Sequence, residues 1–411
     1  MAKREVTAWD NILSPAGFFS GLVLSFLSCC VAGFILRNQN CYEAVERFHR
    51  FINIETLFYP TACQLRALGR SRLDPEKIAV VVGGNSILYG TSQRDEAVWT
   101  RRLQELLGQQ YQVINLGTPG ALPGEFGGVA AEILARDYPR LIFFTDQQPA
   151  APAGDPDGHL YRYLFWDAYY KGLLQSDSLR EERLLQLGDS RTAREKLVEL
   201  KLQMVQDSYL SFRDLWTTTA YRSVSTIWTA YVPKPCTKAR RKHPDPEMRV
   251  SFPSEPSVLA ARHDYAMWVV RHWIADRDTY LEPGRHPSPR RQTETQSTEE
   301  VSELEYTYKR AFPESCRRRT LVAVIHENPY YVNQLSAAER ARYDALYPLS
   351  VQLLEKAGFT AAEIGADYST SDFCDHWHIT EEGGHKLAAD VAPLVRALAE
   401  RLGYTKEGSA P

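Results

Sequence analysis

The stretch from Ala16 to Leu36, AGFFSGLVLSFLSCCVAGFIL, carries no charge and is long enough to cross a bilayer core of about 30 Å as one helix. Such a run separates a membrane segment from everything that follows it. A buried core helix and a cleaved signal peptide are the competing readings. The run exceeds a usual signal h-region and no A-x-A site follows it, so a retained single-pass anchor over 16–36 is expected, behind a tail over 1–15. Lys3 and Arg4 precede it while Arg37, Arg47 and Arg50 follow. That near balance leaves the orientation undecided.

Beyond the anchor, residues 37–76 read as a helical stalk, with Val45, Phe48, Phe51 and Ile52 set among charges. The pattern then changes. Ile78-Ala79-Val80-Val81-Val82 is a short β-branched run ending in Gly83-Gly84, as expected of a buried parallel strand. Val98, Trp99, Leu103, Leu106 and Leu107 follow at helical spacing, with Gly108 placed to stop that helix. Val113-Ile114 begins a second β segment, Gly128–Ala135 a second helix, and Leu141-Ile142-Phe143-Phe144 a third strand. Alternating strand and helix predict an α/β fold with a parallel sheet over 77–150. From 151 to 319 the rhythm breaks into helical stretches, Leu173–Leu210 and Val258–Tyr280, with no clear strand. The segments PKPCTKARRKHPDPE and PGRHPSPRRQTETQSTEE within it read as Pro-rich charged loops. Alternation resumes over 320–405, with strands at Leu321–Ile325 and Phe359–Ile364 and helices at Ser336–Ala357 and from Thr380 to about Leu402. One α/β domain split by a mainly helical insertion is the expected architecture.

Composition excludes several functions. The net charge of -3 provides no basic field for nucleic acid, so no nucleic-acid partner is expected. The seven cysteines include no CxxC pair, and no HExxH, P-loop or GxGxxG motif occurs. No metal and no cofactor are expected. His263 and His272 on the Val258–Tyr280 helix, and His385 in the last helix, are read as structural or surface residues.

Two segments carry chemistry. Gly83-Gly84-Asn85-Ser86 follows the first strand, where open α/β sheets place ligand sites. The competing local reading is a β-α turn with Ser86 as helix N-cap. Far downstream, Asp375-His376-Trp377-His378 precedes Thr380, a good N-cap, and Glu381 and Glu382 suit the positive end of a helix dipole. A serine hydroxyl becomes nucleophilic when an imidazole takes its proton and a carboxylate fixes that imidazole's tautomer. Ser86, His378 and Asp375 supply those three groups.

Gly84-Asn85-Ser86 with Asp375-x-x-His378 resembles the SGNH/GDSL hydrolases, whose first block is Gly-Asp-Ser and whose last is Asp-x-x-His. The resemblance covers about residues 77–150 and 320–402, and implies a three-layer α/β/α domain with Ser86 as nucleophile. It implies an oxyanion hole of the Ser86 and Gly120 N–H groups, Gly120 ending Asn115-Leu116-Gly117-Thr118-Pro119-Gly120. The family's third block, Gly-x-Asn-Asp, is replaced by Phe144-Thr145-Asp146-Gln147-Gln148, so its asparagine donor is missing. Gln147, Gln148 or Asn328 are the candidate replacements. The anchor and split domain are similar to those of D-alanine transfer proteins and exopolysaccharide acetylation proteins. That similarity implies an exoplasmic or periplasmic esterase or acyltransferase acting on an acyl ester of a cell-envelope polysaccharide or lipid, with envelope-assembly proteins as possible partners. The alternative expectation is a catalytically weak module that binds a glycan or lipid.

Overall fold

The computed structural model describes residues 14–36, 62–149, 151, 153–154, 162–175, 202, 205, 209, 212, 256–287 and 298–405. The expectations for the 37–61 part of the stalk, for most of Leu173–Leu210 and for PKPCTKARRKHPDPE lie outside the described residues.

Five parallel strands form the central sheet: β1 (Ile78–Val82), β2 (Tyr111–Asn115), β3 (Leu141–Gln147), β6 (Thr320–Ile325) and β7 (Thr360–Ile364). Their spatial order is β2-β1-β3-β6-β7. The chain leaves β1 for β2 on one side and returns to place β3 on the other. The carboxyl ends of β1 and β3 therefore border a topological switch point, where such sheets hold ligands. β1, β3 and β6 are buried along their whole lengths, which explains continuous apolar runs instead of alternation.

Both faces of the sheet are covered. On one, Val80, Val82, Ile142, Phe144, Leu321 and Ala323 pack under the helices Trp99–Leu107 and Glu381–Arg401. On the other, Val81, Phe143, Val322 and Val324 pack under Ala62–Arg72, Phe126–Ala135, Glu303–Ala311 and Ala337–Lys356. Each fully buried large apolar side chain contributes about 1.5–3 kcal/mol, so these layers supply the main stabilisation. Ala62–Arg72 falls within the expected stalk, yet Leu65 and Leu68 are buried in the core of the α/β domain. Glu303–Ala311 falls within the expected insertion, yet Tyr308 packs edge-on to Phe359 at 5.1 Å, in the same core.

One expectation is corrected. The 151–319 segment holds a two-stranded antiparallel ribbon, β4 (Pro283–Pro287) with β5 (Thr298–Ser302). Prolines at both ends of β4 hid it, since proline is tolerated only at strand ends and edges. The expected Val258–Tyr280 helix is present as Pro256–Leu281.

Near the N-terminus, Pro15–Leu36 is a single α-helix. Its large side chains are turned outward, Phe18, Phe19 and Leu24 being more than 60% exposed, and only 11% of its apolar window is covered by protein. A helix so apolar and so uncovered is long enough to span a membrane, by length and composition.

Candidate active site

Ser86 follows β1 because the turn that precedes it uses Asn85 as the helix N-cap. The Asn85 side chain accepts the Ile87 N–H at 2.8 Å, so the local reading of Ser86 as N-cap is not what forms. Ser86 becomes the first residue of the short helix Ser86–Tyr89, with its hydroxyl free for other partners. Gly84 sits at φ +143, and a side chain there would meet Asp146 Oδ1 at 2.4 Å. Only glycine fits this approach.

The other half of the site is the loop from Asp372 to Thr380. It is folded back on itself, with Cys374 N–H donating to His378 C=O at 2.8 Å and Thr380 N–H donating to Asp372 C=O at 2.8 Å. Thr380 caps the helix Glu381–Arg401 by accepting the Gly383 N–H. This loop is joined to the segment after Ser86 by three side chains, buried at Ser92 and Gln93 and exposed at Arg94. Gln93 donates through Nε2 to the Ile379 and Thr380 carbonyls, and its Oε1 accepts the Trp99 N–H. Arg94 forms a fork on Glu381, at 2.7 and 2.9 Å. Ser92 Oγ lies 2.6 Å from Cys374 Sγ.

The result is a continuous chain of hydrogen bonds. Ser86 Oγ is 2.8 Å from His378 Nε2, and His378 Nδ1 is 2.7 Å from Asp375 Oδ2. Asp375 Oδ1 accepts the backbone N–H groups of Trp377 at 3.1 Å and His378 at 2.8 Å. Burial alone would raise the Asp375 carboxyl. The His378 side chain and backbone N–H outweigh it and hold the carboxyl well below the usual carboxylate range. His376 is buried and packs on Trp377 with ring centroids 4.1 Å apart, and the imidazole bonded to Ser86 is that of His378. Trp377 stands edge-on to His378 at 6.0 Å and stacks on Trp273, 6.3 Å away on the helix Pro256–Leu281. That helix therefore backs the loop carrying His378.

The oxyanion donors divide. Gly120 lies at φ +79 on an exposed turn after β2, and this loop is tied to the nucleophile turn by Thr118 N–H donating to Gly84 C=O at 2.8 Å. Two of the three side-chain candidates, Gln147 and Asn328, are engaged by other partners. Gln147 donates to the Gln148 and Ala151 carbonyls and accepts the Tyr308 hydroxyl. Asn328 donates from Nδ2 to the Asp375 carbonyl at 2.9 Å and from its N–H to the His376 carbonyl at 2.9 Å. Its side chain thereby holds the loop that bears Asp375 and His378. Its Oδ1 accepts the Tyr330 N–H, so Asn328→Ala strands one buried partner and one part-buried one. A loss of about 2–4 kcal/mol is expected from their desolvation, read as a lower urea midpoint.

Two buried acids near the site were not anticipated. Glu327, next to Asn328, accepts hydroxyls from Tyr343 and Tyr347, and burial lifts its carboxyl to about 7 against those hydrogen bonds. Asp146, at the end of β3, lies against Gly84 and Asn85. The signal for Asp146 was a lone acid inside an otherwise buried strand. Of the other histidines, His272 is half exposed and pairs with Asp276 at 3.0 Å, and His385 is exposed. Cys374, Asp375 and His378 are, among the described residues, the group close enough to hold a metal ion, and two of these three belong to the chain that ends at Ser86.

No family model matches this chain, and no curated protein matches it.

Proposed function

We propose that this chain is a membrane-anchored serine esterase or O-acyltransferase of SGNH/GDSL type. The observation that carries the reading is the Ser86–His378–Asp375 hydrogen-bond chain at 2.8 and 2.7 Å, at the switch point of a parallel sheet. His378 Nε2 takes the hydroxyl proton as Ser86 Oγ bonds to an ester carbonyl carbon. The carbonyl π pair moves to oxygen, held by the Ser86 and Gly120 N–H groups. Collapse of this adduct breaks the carbon–oxygen bond to the leaving alkoxide, which takes the proton from His378. Water or a polymer hydroxyl then repeats the sequence on the acyl-Ser86 ester and releases the serine. The apolar helix Pro15–Leu36 would hold the domain beside a membrane, and an acyl ester of a bacterial envelope lipid or polysaccharide on its exoplasmic face is the proposed substrate.

A second reading is a weakly active SGNH-like binding module for a glycan or lipid. It is favoured by one observation, the engagement of both Gln147 and Asn328 outside the oxyanion position. A fluorophosphonate probe separates the two. Stoichiometric labelling of the detergent-solubilised full chain, lost in Ser86→Ala, is the expected result. Absence of labelling in the unmodified protein favours the binding module.

A further inference from the structure

Asp146 is a carboxyl in an unusual place. It is 2% exposed, at the carboxyl end of β3, across the switch point from the turn bearing Ser86. Its Oδ1 lies 3.5 Å from the Asn85 N–H, one residue before the nucleophile, and fills the space a Gly84 side chain would need. The groups around it are Gly84, Asn85 and Leu88 from the nucleophile turn and Ala323 beside it in β6, while Tyr308 of the helix Glu303–Ala311, bonded to the neighbouring Gln147, is near enough to feel its charge. Among the described residues, no cation acts on it. Tyr308 is itself held un-ionised far above its ordinary range, chiefly by burial and further by Asp146. A carboxylate buried without a cation is costly, and the group takes up a proton instead. A buried acid of this kind brings an O–H donor beside the nucleophile turn.

We propose that Asp146, as the neutral acid, donates its hydrogen bond to the carbonyl oxygen that becomes negative when Ser86 attacks. This rests on the acyl-transfer reading of Ser86 and supplies the side-chain donor that Gln147 and Asn328 do not. The Asn85 N–H and side chain and the Asp146 N–H bond the carboxyl from one side, and the proton is carried where these donors leave an oxygen open. Desolvation, opposed by hydrogen bonds from Asn85, places the ionisation at about 7, so the donor is present below that pH and lost above it.

The test is the pH dependence of p-nitrophenyl ester turnover by the solubilised full chain, with fluorophosphonate labelling in parallel. In the unmodified protein, kcat should fall about tenfold per pH unit above about 7, as the acid ionises. Asp146→Asn, a neutral donor of the same shape, should lose this alkaline limb and exceed the unmodified protein at pH 9. Asp146→Ala should fall about a hundredfold at pH 6, the usual loss for one oxyanion donor, while still taking up the probe slowly at Ser86. An alkaline limb that persists at the same midpoint in Asp146→Asn overturns the proposal and leaves the triad intact. So does an Asp146→Ala protein within about threefold of the unmodified one at pH 6. Failure of the unmodified protein to turn over ester or take up probe is a different result, and it removes the triad reading with this one.

Discussion

Asp375→Asn is expected to lower kcat for ester turnover by about 10⁴-fold while leaving the fold intact. The reason lies in which atoms Asp375 already engages. Its Oδ1 receives two backbone N–H groups, from Trp377 and His378. An asparagine must keep its oxygen there, because an amide NH₂ facing two N–H donors would be repelled. The NH₂ then occupies the place of Oδ2, 2.7 Å from His378 Nδ1. A donor at that point forces the imidazole proton onto Nε2, the atom that must accept the Ser86 proton. The variant therefore holds the wrong tautomer with nearly unchanged geometry. Steady-state kinetics, with Ser86→Ala as the reference for complete loss, checks the effect; a fall of less than tenfold would show that Asp375 does not set the His378 tautomer. The same carboxyl also sets a pH term in stability. Its folded-state ionisation lies below the ordinary aspartate value near 4, so it stabilises the fold above that value. That contribution is lost as pH falls through the folded ionisation, and Asp375→Asn should flatten the acid arm of the stability curve.

The second large effect is expected at Gly127. In the helix Phe126–Ala135, Ala is ordinarily the better residue by about 1 kcal/mol. Here a methyl group at Gly127 would stand 2.6 Å from Gly83 Cα, 3.1 Å from Gly83 C and 3.2 Å from the Gly84 N. All three are backbone atoms, so no rotamer change can relieve the contact. The helix or the nucleophile turn must move, and overpacking of this sort costs about 1–3 kcal/mol. Gly127→Ala should therefore lower the thermal midpoint despite its better helix propensity. It should also reduce ester turnover, because the displaced backbone leads directly into Ser86. A variant with both the midpoint and the turnover unchanged would show that the two backbones are not pressed together.

Much of this arrangement was legible in the sequence because it is written locally. The β-branched run Ile78–Val82, the Gly-Gly turn and the Thr380 cap each announce themselves within a few residues. The capping box at Ser336 and Glu339 likewise starts the helix Ala337–Lys356 where the pattern placed it. What was hidden depends on distant partners. Asn328 reads as a candidate oxyanion donor until the Asp375 carbonyl, 47 residues away in sequence, is found at its side chain. Gln93 looks like an ordinary polar loop residue, yet it is fully buried and binds carbonyls 286 and 287 residues downstream. The β4–β5 ribbon was masked by its prolines, and the buried environment of Asp146 is created by helix and strand neighbours that no local pattern reveals.

The clamp of Ser92, Gln93 and Arg94 on residues 374–381 has a consequence in time. A ribosome adding roughly 5–20 residues per second makes the serine well before the histidine that would activate it. The two are 292 positions apart, so the nascent protein carries an unarmed hydroxyl for about 15–60 s. On the proposed acyl-transfer reading, chemistry would begin only once the segment before the last helix has brought His378 to Ser86. On that reading, a chain ending short of His378 would carry the serine without its base, whatever else had folded.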